Sequence, residues 1–180
     1  MTAQNTPAEQ VLLDYLHTLT EIEKLNYGPE TADWAHRSVP ALLLAHGRWF
    51  TPAPLPIGMA PLPERQCFAN AARTERAHPP LIYTEGLALP ADSPVPTAHA
   101  WCSTPDGHAL DPTWSELGGT AYLGIPLATS SPRPHPAFGS GVLERPETMY
   151  PLLRHGLPPD AMAAVGRPRT TTPPFQRSSR

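Results

Sequence analysis

Three side chains in this sequence have the types and the order needed for nucleophilic chemistry: Cys67, His99 and Asp111. A thiol becomes a nucleophile as its thiolate, and a helix N-terminus favours that charged form. Cys67 stands at the start of a segment of good helix formers, residues 64 to 77, that contains no proline. His99 lies within Thr97-Ala98-His99-Ala100-Trp101-Cys102, where residue types alternate as in a strand. In that register His99, Trp101 and Ser103 share one face, and Ala98, Ala100 and Cys102 the other. Asp111 follows the turn Pro105-Asp106-Gly107, a strong hairpin signal, so its strand returns beside that of His99. A carboxylate there can hold one imidazole nitrogen while the other faces the thiol, the arrangement of a nucleophile, a base and an orienting acid. Cys102 is expected to point away from the cysteine-bearing helix, and no disulfide between the two cysteines is expected.

Taken singly, each of the three has a plain structural explanation. A free cysteine is often an inert core residue, a strand histidine is often merely satisfied, and an aspartate before proline is common in turns. The joint pattern is what points to chemistry. Zinc is the competing reading, with Cys67, His99, His108 and Asp111 as possible ligands, but no Cys-x-x-Cys or His-x-x-x-His pair occurs among them. No metal and no cofactor is therefore expected. An oxyanion formed at Cys67 would meet its own backbone N–H, and Gln66 or Asn70 offers a side-chain amide. Glu85 and Trp101 are further candidates for lining the cleft. Trp101 and Trp114 read more simply as core aromatics, and Glu85 as a solvated carboxylate on a bulged strand.

The elements that must position these groups are short, because the chain of 180 residues contains 26 prolines. Thr6-Pro7-Ala8-Glu9 is a capping-box start, and Leu12, Leu16, Leu19, Ile22 and Leu25 continue it as an amphipathic helix up to Gly28-Pro29. A helical piece is expected over 32–39, restarting after Pro40 to about Ala45. Residues 51–63 read as an extended proline-rich connector. Strands are expected over 81–89, 97–103, 109–113 and 121–127, a loop over 128–140 and a helix over 142–155. Helices followed by a run of strands define an α+β class. The pattern predicts one domain over 1–165 with its core in 64–127, and a disordered tail, rich in Pro, Thr, Ser and Arg, over 166–180.

With Cys67 at a helix start, His99-Ala100-Trp101 on one strand and Leu110-Asp111-Pro112-Thr113-Trp114 on the next, residues 64–127 resemble the transglutaminase-like core of the papain-like superfamily. Gln66-Cys67-Phe68-Ala69-Asn70-Ala71 and Tyr83-Thr84-Glu85-Gly86 are similar to segments of small uncharacterised bacterial and phage members. The chain is much shorter than the crosslinking enzymes, and Phe68 follows the cysteine where many members have tryptophan nearby. The resemblance implies a papain-like fold, with helices packed on a short antiparallel sheet. It also implies a thiol nucleophile, an imidazole base and an orienting aspartate, acting on an amide or ester through a thioester, with hydrolysis or transfer as the outcome. A peptide, a protein or a small amide or ester is the substrate class. The alternative is a catalytically idle member that binds a peptide or protein.

A net charge of −3 without a clustered basic face argues against a nucleic-acid partner. No apolar stretch is long enough to span a bilayer, and the N-terminus lacks a basic segment followed by an apolar run. A cytoplasmic location with both cysteines reduced is the expectation.

Overall fold

Helix α1, Pro7–Lys24, begins where its capping box stands: the Glu9 N–H reaches Thr6 Oγ1 at 3.2 Å and the Thr6 N–H reaches Glu9 Oε2 at 2.8 Å. Only the first half of its apolar stripe is used. Leu12, Leu13 and Leu16 are buried, whereas Ile22 is exposed and Leu25 is 86% exposed. The protein is described by a computed structural model covering residues 4–114, 118–134 and 139–169.

Helix α2, Val39–His46, differs from expectation. Ser38 caps it through the Ala41 N–H, and Pro40 sits in its first turn, where a missing N–H costs nothing. Residues 32–38 therefore form no helix; only a 3₁₀ turn, Pro29–Thr31, precedes them.

A strand absent from the expectation follows at once. Strand β1, Arg48–Ala53, takes the first part of the supposed connector. Helix α3 is Cys67–Ala77, and then come β2 (Ile82–Pro90), β3 (Thr97–Ser103), β4 (His108–Leu110) and β5 (Gly119–Pro126). Helix α4, Pro146–His155, is shorter than expected because Pro146 opens it; a two-residue strand β6, Arg167–Pro168, comes last.

The sheet order is β4-β3-β2-β5-β1, and β1 also pairs with β4, so five strands close into a barrel. The sheet is not purely antiparallel, because the closing pair β1–β4 is parallel, with Thr51 opposite His108 and Ala53 opposite Leu110. Strand β6 adds outside the ring, beside β1. The body therefore continues past the expected boundary at residue 165. Arg167 also bridges to Glu9 at 2.5 Å, an anchor that composition does not reveal. The rest of the expected tail, 170–180, lies outside the described residues.

The barrel interior is small and aromatic: Phe50, Ala88, Trp101, Ala109 and Tyr122. Gly86 and Gly124 face each other across β2 and β5, and a Cβ on Gly124 would lie 2.5 Å from Trp101 Cη2. The absence of side chains there lets the indole fill the barrel. Outside, α1 and α2 pack on β5 and α3 packs on β3 and β2, forming the larger core around Leu12, Leu16, Leu43 and Leu123. Among the described residues no helix is long and apolar enough to cross a membrane.

Candidate active site

Cys67 is the first residue of α3 and is half-buried. The first backbone N–H groups of a helix lack intrahelical partners, so an acceptor beside Cys67 meets free donors and the positive end of the helix dipole. The approach to this turn is held in a strained form: Arg65 has φ of 62°, the one non-glycine residue with positive φ among those described. The segment is tied down at Leu62, whose N–H donates to the Pro112 carbonyl at 2.8 Å.

His99 lies on the inner face of β3, opposite Gly86, and is 2% exposed. Its Nε2 is 2.7 Å from Asp111 Oδ2. Cys67 borders the same cleft as His99, and its side chain raises the affinity of the ring for its proton; since Nε2 is taken by Asp111, Nδ1 is the nitrogen left for the thiol. Asp111 stands just past β4 and accepts three further donors: the Tyr122 hydroxyl at 2.9 Å and the N–H groups of Thr113 at 2.9 Å and Trp114 at 3.1 Å. The Trp114 ring lies on the imidazole, centroids 3.7 Å apart. The three expected residues are thus brought together.

Burial works against charging the His99 ring. The hydrogen bond to Asp111, followed by the influence of Cys67, outweighs it and lifts the histidine to about 9. Burial likewise disfavours the Asp111 carboxylate, but the His99 hydrogen bond and charge, with the Trp114 and Thr113 N–H groups, hold it below its ordinary value. Near neutrality the ring is therefore an imidazolium, donating from Nε2 to a carboxylate and keeping Nδ1–H for the thiol or for a substrate in the cleft. The ring can deliver a proton to a leaving group and take one back from an incoming nucleophile. Both groups border a cleft of about 700 Å³ whose walls include Leu62, Pro63, Arg65 and Ala98.

The other expected site residues go elsewhere. Asn70 is fully buried and its amide is spent, donating to the Pro63 carbonyl at 2.7 Å and to Thr113 Oγ1 at 3.0 Å. It fastens the loops on either side of the cleft to α3 and offers nothing to an oxyanion. Gln66 is exposed at the helix cap, and its side chain has no hydrogen-bond partner among the described residues. Trp101 fills the barrel interior and does not line the cleft. Glu85 is neither solvated nor in the cleft: it is 1% exposed and accepts the N–H groups of Val142 at 2.6 Å and Leu143 at 2.8 Å, together with the Tyr83 hydroxyl. Cys102 does not point away from α3; its thiol meets the Ala71 carbonyl at 3.2 Å, one turn beyond Cys67. Both cysteines are free.

Trp114 and Tyr122 are the site residues that sequence reasoning missed. Trp114 lies within the motif, where its type alone reads as a core aromatic. Tyr122 shows only an alternating strand, and its role depends on barrel closure bringing β5 to Asp111. Among the described residues no group of three or more His, Cys, Asp or Glu side chains converges as a metal site. Comparisons of the chain with protein-family models, with curated proteins and with solved structures find no match.

Proposed function

We propose that this protein is a thiol-dependent hydrolase or acyltransferase of the transglutaminase-like, papain-like class, acting on an amide or ester bond. The observation that carries the reading is His99, bonded to Asp111 through Nε2 and bordering, with Cys67, the same cleft. A buried histidine paired with a carboxylate beside a free thiol on one cleft favours the enzyme over an idle binding module.

In this reading the Cys67 sulfur attacks the substrate carbonyl carbon, and the carbonyl π electrons move onto oxygen. The Cys67 backbone N–H faces that oxyanion. The intermediate collapses with loss of the amine or alcohol, which takes the proton from His99 Nδ1, leaving a thioester on Cys67. Water or an acceptor amine then gives its proton to His99 as it attacks the thioester, and the thiolate departs. Asp111 holds the ring in one tautomer and offsets its charge throughout. Arg65, on the cleft wall, and Trp114, against the imidazole, confine the acyl group to one approach.

Acyl transfer from p-nitrophenyl acetate tests this. An acetyl group on the Cys67 peptide by mass spectrometry, absent in Cys67→Ala and slow to appear in Asp111→Asn, is the expected result. Acetylation spread over lysines, unchanged in Cys67→Ala, would refute it.

A further inference from the structure

A carboxyl group in the middle of a strand, cut off from water and without a cation, needs an explanation. Glu85 is such a group. Its oxygens receive the Tyr83 hydroxyl and the Val142 and Leu143 N–H groups, and among the described residues no Lys, Arg or His forms an ion pair with it. Burial outweighs these donors and raises its affinity for a proton, so the site is costly for the fold. A hydrophobic residue there would pack against α3 at no such cost.

The carboxyl group touches the machinery at one remove. A Cβ built on Gly141 would lie 2.6 Å from both Glu85 Oε2 and Phe68 Cε1. Glu85 and the Phe68 ring therefore both pack closely against Gly141. Phe68 follows Cys67 in the first turn of α3. Tyr83, which donates to Glu85, is fully buried; burial, then the Glu85 charge and hydrogen bond, and then Cys67 itself all raise its hydroxyl's affinity for the proton. The thiol turn is thus backed by Glu85 through Gly141 and Phe68, with Tyr83 held on Glu85, while the imidazole is set separately by Asp111.

We propose that Glu85 is a positioning residue for Cys67: by drawing the backbone of residues 141–143 onto the Phe68 ring, it sets the first turn of α3 where the thiol meets His99. The proposal rests on the reading of Cys67 and His99 as a reacting pair. Glutamine at position 85 keeps the volume but turns an N–H₂ toward groups that already donate, so at least one donor loses its acceptor. Alanine at 141 leaves Glu85 and Tyr83 intact and drives a methyl between carboxyl and ring.

The test is the iodoacetamide rate of Cys67 in Glu85→Gln and Gly141→Ala, each alone and combined with His99→Ala, in proteins shown by circular dichroism to be folded. Each single variant is expected to slow alkylation about fivefold near neutral pH and to move its onset toward that of His99→Ala, and to add almost nothing once His99 is gone. Full wild-type rates in both single variants would overturn the proposal. So would an equal slowing with and without His99, which is the signature of a merely structural residue. If Glu85→Gln does not fold, Gly141→Ala and Tyr83→Phe decide by the same comparison. The failures are separable: if wild type and His99→Ala alkylate alike, the enzyme reading falls; if they differ and the Glu85 variants do not, only this proposal falls.

Discussion

Trp114 lies flat on His99, ring centroids 3.7 Å apart and planes within 16° of parallel. The indole face is electron-rich, so it suits a charged imidazole and fixes the plane in which Nδ1 meets the thiol. The same residue donates its N–H to Asp111 at 3.1 Å. One residue therefore orients both the base and the acid that steadies it.

Trp114→Ala should leave that backbone bond and remove the stack. The expected loss is about 1 kcal/mol of the charged ring's stabilisation beyond lost burial, seen as a lower His99 titration midpoint by NMR. An unchanged midpoint would mean that the stack does not act on the charged form.

The His99–Asp111 pair makes stability depend on pH in a set direction. His99 is raised from 6.5 to about 9, so its contribution is complete below about 6.5 and is lost as pH rises through about 9. Asp111 is depressed from 3.8, so its contribution is present above that value and is lost as pH falls through the lower one. Urea unfolding of wild type and Asp111→Asn should show a stability gap that is widest between those limits and shrinks above about pH 9. A gap that grows there would contradict the assignment.

Trp101 separates packing from chemistry. Truncating a fully buried tryptophan typically costs about 3–5 kcal/mol, and Trp101 is 0% exposed inside the barrel. Trp101→Ala should lower the melting temperature sharply, while Trp101→Phe retains most of the stability and leaves Cys67 alkylation unchanged. Loss of alkylation in a stable Trp101→Phe protein would return Trp101 to the site.

Beyond residue 165 the body is held by β6 and by Arg167, which bridges Glu9 and lies over the Trp49 ring at 5.9 Å. Arg167→Ala should cost about 1 kcal/mol in urea unfolding. No measurable loss would mean that the bridge does not help to fasten β6 to the body.

What could be read in advance was local or chemically restricted. Thr6 and Glu9 specify a helix start by bonds three residues apart, and Pro105-Asp106-Gly107 specifies a hairpin on its own. Cys67, His99 and Asp111 stood out because few residue types serve as nucleophile, base and orienter. What escaped depends on partners distant in the chain. Strand β1 carries Pro52 and looks like a connector, yet it is held from both sides by β5 and β4. Glu85 reads as solvated until Val142 and Leu143 fold over it. Tyr122 acquires its role only once closure brings β5 to Asp111.

The most direct measurement is the iodoacetamide rate against pH for wild type and His99→Ala, with the labelled site located by mass spectrometry. His99 holds its proton below about 9 and shares the cleft with Cys67, so wild-type Cys67 should alkylate well before the variant on the acid side. The two curves should merge above about 9, as the ring loses its charge. Cys102, whose thiol burial pushes up, should stay unlabelled throughout. Superimposed curves over the whole range would contradict the account: Cys67 would then be an ordinary thiol beside a structural histidine.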